Sequence, residues 1–272
     1  MNKISSKIEK WLTNYLKSSG QKGFVVGVSG GIDSAVVSSL CANTGNPTIL
    51  VSLPIKERFN SLSNEHIKAL CENYPNVKSV EIDLTKTFDS FFHTVDSKVI
   101  IDDLDDTELR NLKFANLRSR MRMMSLYFVA QSNSMLVVGT GNKIEDFGIG
   151  FYTKYGDGGV DISPIADLMK SEVYELGRYL GVSESILNSR PTDGLWVDGR
   201  TDEDQIGATY DELEWAMRFT ETGILDYERC PDIERQKEVM DIYKRRNSIN
   251  QHKMLPIPIC EMERDYRNNL IL

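Results

Sequence analysis

The chain has 272 residues, 40% hydrophobic and 26% charged, which is typical of a globular protein with a core of its own. Its 32 basic and 40 acidic side chains leave a net charge of −8, so we expect no nucleic acid among its partners. There is no apolar run near the roughly 18 residues of a membrane span, no signal peptide and no CxxC pair, which predicts a cytoplasmic protein without a membrane segment, disulfide scaffold or zinc site.

Short apolar runs bounded by turn residues predict the strands of the fold. Between these runs the hydrophobic residues recur at helical spacing, so strand and helix patterns alternate along much of the chain. Such alternation implies parallel strands with right-handed crossovers, hence an α/β fold with an open, doubly wound, mostly parallel sheet and helices on both faces. The predicted strands cover residues 24–28, 48–53, 77–82 and 135–139.

Helical patterns fill the intervals between and after these strands. The first helix is expected to end at Gly20, a residue suited to a C-cap, and the third to begin at an N-cap of Ser63 or Asn64. The predicted helices lie near residues 4–19, 33–42, 63–74, 107–131, 170–180, 210–219 and 232–246.

Three stretches between these elements are predicted to be irregular. The acidic run 102–106 is expected to form a solvated turn, and the Gly-rich stretch 139–159 a loop. The charged, Gly-punctuated stretch 196–205 is expected to be a mobile loop. We expect a single domain over 1–272, with a C-terminal helical and tail region over 210–272.

The most informative motif is the hexapeptide SGGIDS at 29–34, between the first strand and the helix that follows it. Its two glycines let the backbone approach an anion, while the next helix presents free N–H groups and a positive dipole end. Ser29 and Ser34 add hydroxyl donors, and Asp33 can hold a cation that neutralises phosphate charge. The motif therefore predicts a phosphate-binding loop, although no Lys follows the glycines as in GxxxxGK[ST].

This hexapeptide resembles the SGGxDS signature of PP-loop ATP pyrophosphatases, which split ATP into AMP and pyrophosphate and activate a carboxyl or carbonyl oxygen as an adenylate. With GTGNK at 139–143, FYTKYGDGG at 151–159 and HK at 252–253, the chain is similar to ammonia-dependent NAD synthetases from about residue 3 to residue 256. The resemblance implies an adenine nucleotide alpha hydrolase-like fold. It also implies a ligase that amidates deamido-NAD through an NAD-adenylate, giving NAD, AMP and pyrophosphate at the last step of NAD biosynthesis.

The resemblance further implies a role for each matching residue. Asp33 and Glu145 would bind Mg²⁺, with ATP as co-substrate. Asp157 would orient or deprotonate ammonia, and Lys170 would stabilise charge on the departing pyrophosphate. The residues implied to contact ATP are Gly27, Val28, Ser29, Gly30, Gly31, Ile32, Asp33, Ser34, Thr140, Lys170 and Thr192. Those implied to contact deamido-NAD are Arg120, Lys154, Asp161, His252 and Lys253.

Two alternatives stay open. Another PP-loop synthetase or a tRNA-modifying enzyme would carry the same hexapeptide, although sulfur-transfer members usually need a cysteine pair and the charge of −8 suits tRNA poorly. A non-catalytic ATP-binding sensor would keep the loop, although the presence of both Asp33 and Glu145 argues against it.

The nitrogen donor and the oligomeric state can also be predicted. Only 28 residues precede Ser29, too few for a glutaminase domain, so we expect free ammonia as the donor. The resemblance implies a homodimer with the dinucleotide site near the subunit interface, and the long apolar helix at 107–131 gives that expectation weak support.

Overall fold

Four parallel strands form one sheet in the computed structural model, which describes residues 1–56, 61–96, 107–191, 201–224, 229–230 and 232–262. The predicted α/β fold with its doubly wound parallel sheet is confirmed, and each strand ends one residue before its predicted end. The strands are β1 (Phe24–Gly27), β2 (Thr48–Ser52), β3 (Val77–Glu81) and β4 (Leu136–Val138), in the order β3-β2-β1-β4 across the sheet.

Most helices begin and end within a few residues of their predicted bounds. None of the helices in the described part of the chain is long and apolar enough to cross a membrane. The helices are α1 (Asn2–Ser19), α2 (Ile32–Asn43), α3 (Ser61–Asn73), α4 (Thr85–Asp96), α5 (Thr107–Asn133), a π-helix (Ile144–Ile149), α6 (Lys170–Tyr179), α7 (Glu184–Leu187), α8 (Asp202–Ile206), α9 (Tyr210–Thr222) and α10 (Ile233–Met254).

The sheet separates two hydrophobic layers because successive side chains of a strand point to opposite faces. Phe24 and Val26 of β1 are fully buried in one layer, with side chains of α1, α2, α3, α6 and α7. Val25 is fully buried in the other layer, with side chains of α4 and α5. Both faces of the sheet are therefore covered, as a parallel sheet requires.

Two predictions about helix bounds were wrong. Because α3 begins at Ser61, neither Ser63 nor Asn64 is its N-cap, and the Ser63 hydroxyl instead donates to the Val28 carbonyl at 2.9 Å. Helix α10 continues to Met254, beyond the predicted end at residue 246, so that His252 and Lys253 lie in its last turn.

The expectation of irregular structure was wrong at two places. The π-helix lies inside the predicted loop 139–159. Helix α8 occupies the end of the predicted loop 196–205, where Thr201 and Asp204 form a reciprocal capping box. The rest of that predicted loop, 196–200, and the acidic run 102–106 lie outside the described residues.

Sequence patterns also missed α4, whose aromatic and β-branched residues have modest helix propensity. Tertiary packing supports this helix, because Phe88 and Phe92 lie 6.2 and 4.9 Å from the Phe114 ring of α5.

Candidate active site

The candidate site lies beyond the carboxyl ends of β1 and β4, where the order of the strands reverses. β2 and β3 lie on one side of β1 and β4 on the other, which leaves a crevice between the loops that follow β1 and β4. The hexapeptide 29–34 follows β1, and the segment with Thr140 and the π-helix follows β4. The topology thus brings two of the predicted binding segments to one edge of the sheet.

Hydrogen bonds between its own residues hold the hexapeptide in shape. The Ser34 hydroxyl donates to the Gly31 carbonyl at 2.9 Å, and the Ser29 and Ser34 hydroxyl oxygens lie 3.1 Å apart. Gly30 has a φ of 89°, which a residue with a side chain adopts only with strain. Among the described residues no side chain caps α2 at Gly31, so the helix N-terminus can receive an anion.

Lys170, the first residue of α6, contacts one residue that follows β1 and one that follows β4. Its ammonium lies 2.6 Å from Oδ2 of Asp33 and 3.1 Å from Oε1 of Glu145, and only 3% of the side chain is exposed. Burial alone would lower the pKa of Lys170, but its attraction to the two carboxylates is stronger and raises it. The side chain therefore remains a cation in the crevice.

Tyr210 of α9 completes this ion-pair cluster. Its hydroxyl donates to Oε1 of Glu145 at 2.6 Å, and the Lys170 ammonium lies 4.6 Å from the centre of its ring. The ring face offers the ammonium a cation–π contact. One aromatic side chain thus supports both a carboxylate and the cation of the candidate site.

The acidic pair fits a magnesium ion that is bound partly by a substrate. Asp33 and Glu145 converge on one ammonium, and the Asn142 amide donates to Asp33 at 3.3 Å. Within the described residues, no group of three or more His, Cys, Asp or Glu side chains could hold a metal alone. Magnesium is commonly held by one or two carboxylates together with phosphates and water, which suits this donor set.

A small open cavity of about 110 Å³ lies beside this cluster, lined by Asp146, Tyr152 and Asp157 among others. Burial, reinforced by neighbouring carboxylates, raises the pKa of Asp146 to about 7. Loss of surrounding water also raises the pKa of Asp157, against hydrogen bonds from Ser119 and from the Thr153 backbone, which lower it. The cavity therefore presents two carboxyl groups with raised proton affinity.

Four of the five residues predicted to bind deamido-NAD lie around one segment. Arg120 donates to the Lys154 carbonyl at 3.3 Å, and the Lys154 ammonium donates to the His252 carbonyl. Lys253 donates to the carbonyls of Gly150 and Tyr152, each at 2.8 Å. The end of α10 is thereby attached to the segment that leads to Asp157.

The other predicted residues differ in their surroundings. Asp161 accepts hydrogen bonds from the Val137 backbone of β4 at 2.8 Å and from the Tyr127 hydroxyl at 3.0 Å, so it is tied to the sheet. Thr192 lies outside the described residues.

Asparagine side chains of α10 hold the π-helix. Asn247 donates to the Gly148 carbonyl at 2.7 Å and Asn250 to the Ile149 carbonyl at 2.8 Å. These carbonyls lie at the end of the π-helix, where helix geometry leaves acceptors unpaired. Sequence reasoning missed both of these asparagines. It also missed Tyr210, and Asn142 although this residue lies inside the GTGNK segment.

Comparison with known proteins identifies relatives over nearly the whole chain. Residues 4–256 match the family model described as NAD synthase. The chain is 39% identical to an NH(3)-dependent NAD(+) synthetase of Alkaliphilus metalliredigens, over 94% of this chain and 98% of that protein.

Two solved structures are similar in fold and in sequence. An NMN synthetase from Francisella tularensis has a TM-score of 0.80 and 31% identity, over 96% of this chain and 98% of that one. An NH3-dependent NAD synthetase from Campylobacter jejuni has a TM-score of 0.72 and 27% identity, over the same shares of the two chains.

Proposed function

Because the chain belongs to the NAD synthase family, we propose that it is a ligase that amidates deamido-NAD with ammonia and ATP. The products are NAD, AMP and pyrophosphate, and the reaction is the last step of NAD biosynthesis. The observation that carries the proposal is the family match over residues 4–256, within which the phosphate loop, Lys170 and two carboxylates converge at one crevice.

The chemistry explains why ATP is needed. A carboxylate cannot be amidated directly, because oxide is too poor a leaving group. When a carboxylate oxygen of deamido-NAD attacks the α-phosphorus of ATP, pyrophosphate leaves and an acyl-adenylate forms. Ammonia then attacks the carbonyl carbon, and AMP departs in place of oxide.

We assign the ATP side of the site to the loop after β1 and to Lys170. The N–H groups at the start of α2 and the hydroxyls of Ser29 and Ser34 bind the phosphates. The Lys170 ammonium stabilises the negative charge that accumulates on pyrophosphate. A magnesium ion held by Asp33 and Glu145 would neutralise further phosphate charge there. Thr140 and Thr192 stay predicted ATP contacts.

We assign the ammonia side to Asp157. Ammonia is mostly ammonium near neutral pH, so the carboxylate holds the cation and takes the proton that must leave before attack. The raised pKa of Asp157 favours that proton transfer.

The dinucleotide is assigned to the cations around the end of α10. The positive charges of Arg120, Lys154 and Lys253 offset the negative charges of the dinucleotide phosphates. Contacts from His252 and Asp161 remain predictions, as does a cytoplasmic location.

A homodimer is part of the proposal. Arg120, Met124 and Phe128 recur every four residues along α5 and share one face of the helix. Met124 is 54% exposed and Phe128 74% exposed, which leaves an apolar surface beside a predicted substrate contact. A second copy of the chain that covers this face would bring its own α5 close to the dinucleotide site.

A second candidate substrate is nicotinate mononucleotide, the carboxylate precursor of NMN. The specific observation in its favour is the likeness to the NMN synthetase from Francisella tularensis, with its TM-score of 0.80. The amidation chemistry is the same, and the two substrates differ in the adenylate half of the dinucleotide.

A single assay tests the proposed function. The purified chain is incubated with ATP, Mg²⁺ and ammonia together with either deamido-NAD or nicotinate mononucleotide, and the amide product and AMP are measured. We expect NAD and AMP in equal amounts and a higher kcat/KM for the dinucleotide. Preference for the mononucleotide would reassign the substrate, glutamine acting as well as ammonia would refute the donor, and no amide from either substrate would reject the function.

A further inference from the structure

Glu214 of α9 is a buried carboxylate that the proposed chemistry does not use. Its side chain is fully buried, with no exposed surface. A carboxylate in such surroundings is unstable unless hydrogen bonds and an opposite charge compensate for the lost water. Its partners therefore indicate what the residue does.

Both oxygens of Glu214 are used. Oε1 accepts the backbone N–H of Ser171 at 2.8 Å, and Oε2 accepts the hydroxyl of the same serine at 2.8 Å. Arg229 donates to Oε2 at 2.5 Å and supplies the compensating positive charge. Within the described part of the chain, Glu214 thus accepts two hydrogen bonds from a single residue in the first turn of α6.

Ser171 follows Lys170, so this turn determines where the Lys170 side chain begins. The N–H groups of a first helical turn have no partner within the helix, and negative charge there is favoured by the helix dipole. Glu172 occupies another of these positions, where its carboxylate accepts the Met169 N–H at 2.8 Å. Carboxylates from two different helices thus hold the start of α6.

The position of that turn matters because Lys170 is long, buried and in contact with two carboxylates. Its ammonium lies 2.6 Å from Asp33 and 3.1 Å from Glu145, and Glu214 binds the N–H of the next residue along the backbone. A shift of about 1 Å at such a point can cost on the order of 10²-fold in rate. Glu214 is well placed to prevent such a shift.

We propose that Glu214 is a positioning residue for Lys170. Glu214 fixes the first turn of α6 by accepting hydrogen bonds from both the N–H and the hydroxyl of Ser171. The inference rests on the proposed function, because it concerns the ammonium that stabilises the departing pyrophosphate. Glu214 contacts Ser171 and Arg229, so its effect on Lys170 is transmitted through the backbone of α6.

The main test compares Glu214→Gln with a control on the same helix, Leu213→Ala. Glutamine keeps the shape of the side chain but replaces one acceptor oxygen with an NH₂ group, which then meets either the Ser171 N–H or both the Ser171 hydroxyl and Arg229. Leu213 is also fully buried, so its truncation destabilises α9 without removing a bond to Ser171. For each variant we measure Tm, the kcat of NAD formation and the KM for deamido-NAD, at a temperature where the protein is folded.

We expect Glu214→Gln to lower kcat by about tenfold and to leave the KM for deamido-NAD within about twofold of wild type. Leu213→Ala should lower Tm at least as much, yet keep kcat within about twofold. A kcat for Glu214→Gln within about twofold of wild type would overturn the proposal, as would an equal loss of kcat in Leu213→Ala.

Ser171→Ala provides a second route if Glu214→Gln does not fold. It removes only the hydroxyl bond to Glu214, and we expect a loss of kcat of about threefold with an almost unchanged Tm. Wild-type kcat in this variant would then overturn the proposal. A wild-type protein that forms neither NAD nor AMP would reject the proposed function itself, an outcome distinct from a wild-type enzyme that tolerates loss of the Glu214 contact.

Discussion

The negative charge of Asp33 has two roles in the candidate site. Its carboxylate pairs with Lys170 and is also a proposed Mg²⁺ ligand. Asp33→Asn keeps the volume of the side chain and removes its charge, so we predict a loss of kcat of about 10²-fold or more. Steady-state turnover at saturating Mg²⁺ measures this loss.

Asp167→Asn is the matched control. The Asp167 side chain is 99% exposed and pairs only loosely with Lys143, at 3.7 Å, so the same change of charge should leave kcat nearly unchanged. Near-normal turnover of Asp33→Asn would remove Asp33 from the proposed machinery.

The burial of His66 leads to a prediction of how the stability of the protein depends on pH. It is buried on α3, where Nε2 lies 2.9 Å from the Ser38 hydroxyl, and burial lowers its pKa to about 4. In the unfolded chain His66 binds a proton near pH 6.5, whereas in the folded protein it does so only near pH 4. The contribution of the neutral His66 side chain to the free energy of unfolding is therefore complete above pH 6.5 and is lost as the pH falls towards 4. We expect His66 to account for about 2 kcal/mol of the free energy of unfolding lost between pH 7 and pH 5.

The test is denaturant unfolding of wild type, His66→Gln and His93→Gln at both pH values. His93 is exposed on α4, so its variant should keep the pH dependence of wild type. His66→Gln should be less stable at pH 7 but lose about 2 kcal/mol less on acidification. An identical pH dependence in all three proteins would contradict the assignment.

At the scale of elements, the π-helix depends on α10. Asn247 and Asn250 donate to its last two carbonyls, and Lys253 donates to the carbonyl of Gly150, the residue that follows it. Gly150, which ends the π-helix, has a φ of 62°, and a Cβ there would lie 2.5 Å from Cβ of Asn250. Any side chain at residue 150 must therefore push α10 away.

We predict that Gly150→Ala is more damaging than Gly181→Ala. Gly181 also has a positive φ, 73°, but a Cβ there meets nothing within 4 Å. Both variants lose about 1–2 kcal/mol through backbone strain, and Gly150→Ala loses a further ~1–3 kcal/mol through overpacking. Denaturant unfolding and kcat should both show the difference, and equal effects of the two variants would contradict the proposed role of α10.

The sequence predicted elements whose own side chains define them, but not those that depend on distant partners. The C-cap of α1 at Gly20 is local, and it was confirmed. The π-helix was missed because a single π-helical turn does not give the hydrophobic spacing of an α-helix. In addition, its last carbonyls accept hydrogen bonds from α10, about a hundred residues away in the sequence.

The same distinction applies to the candidate site. The SGGIDS motif predicted a phosphate-binding loop, because the residues of such a loop are contiguous in the chain. It could not indicate that Lys170 lies between Asp33 and Glu145, or that Glu214 holds Ser171. Those contacts are made by side chains from separate elements and depend on how the helices pack.

For the whole molecule, the proposed homodimer makes a prediction about α5. Phe128→Asp places a charge on the exposed apolar face, so we expect the dimer to dissociate to monomers. Ile233→Asp is the control, because Ile233 is also an exposed apolar residue, at 64%, but belongs to α10 and not to α5. Light scattering after gel filtration should give a monomer for the first variant only, and a monomeric wild type would reject the dimer.

The central claim, that a carboxylate is activated as an adenylate, is tested most directly by an oxygen label. Deamido-NAD carrying ¹⁸O in its nicotinate carboxylate is converted with ATP and ammonia, and the products are examined by mass spectrometry. The oxygen that attacks the α-phosphorus stays with that phosphorus when the acyl-adenylate is broken, so AMP should carry one ¹⁸O and pyrophosphate none. Unlabelled AMP alongside labelled NAD, or ¹⁸O in pyrophosphate or phosphate, would contradict the account.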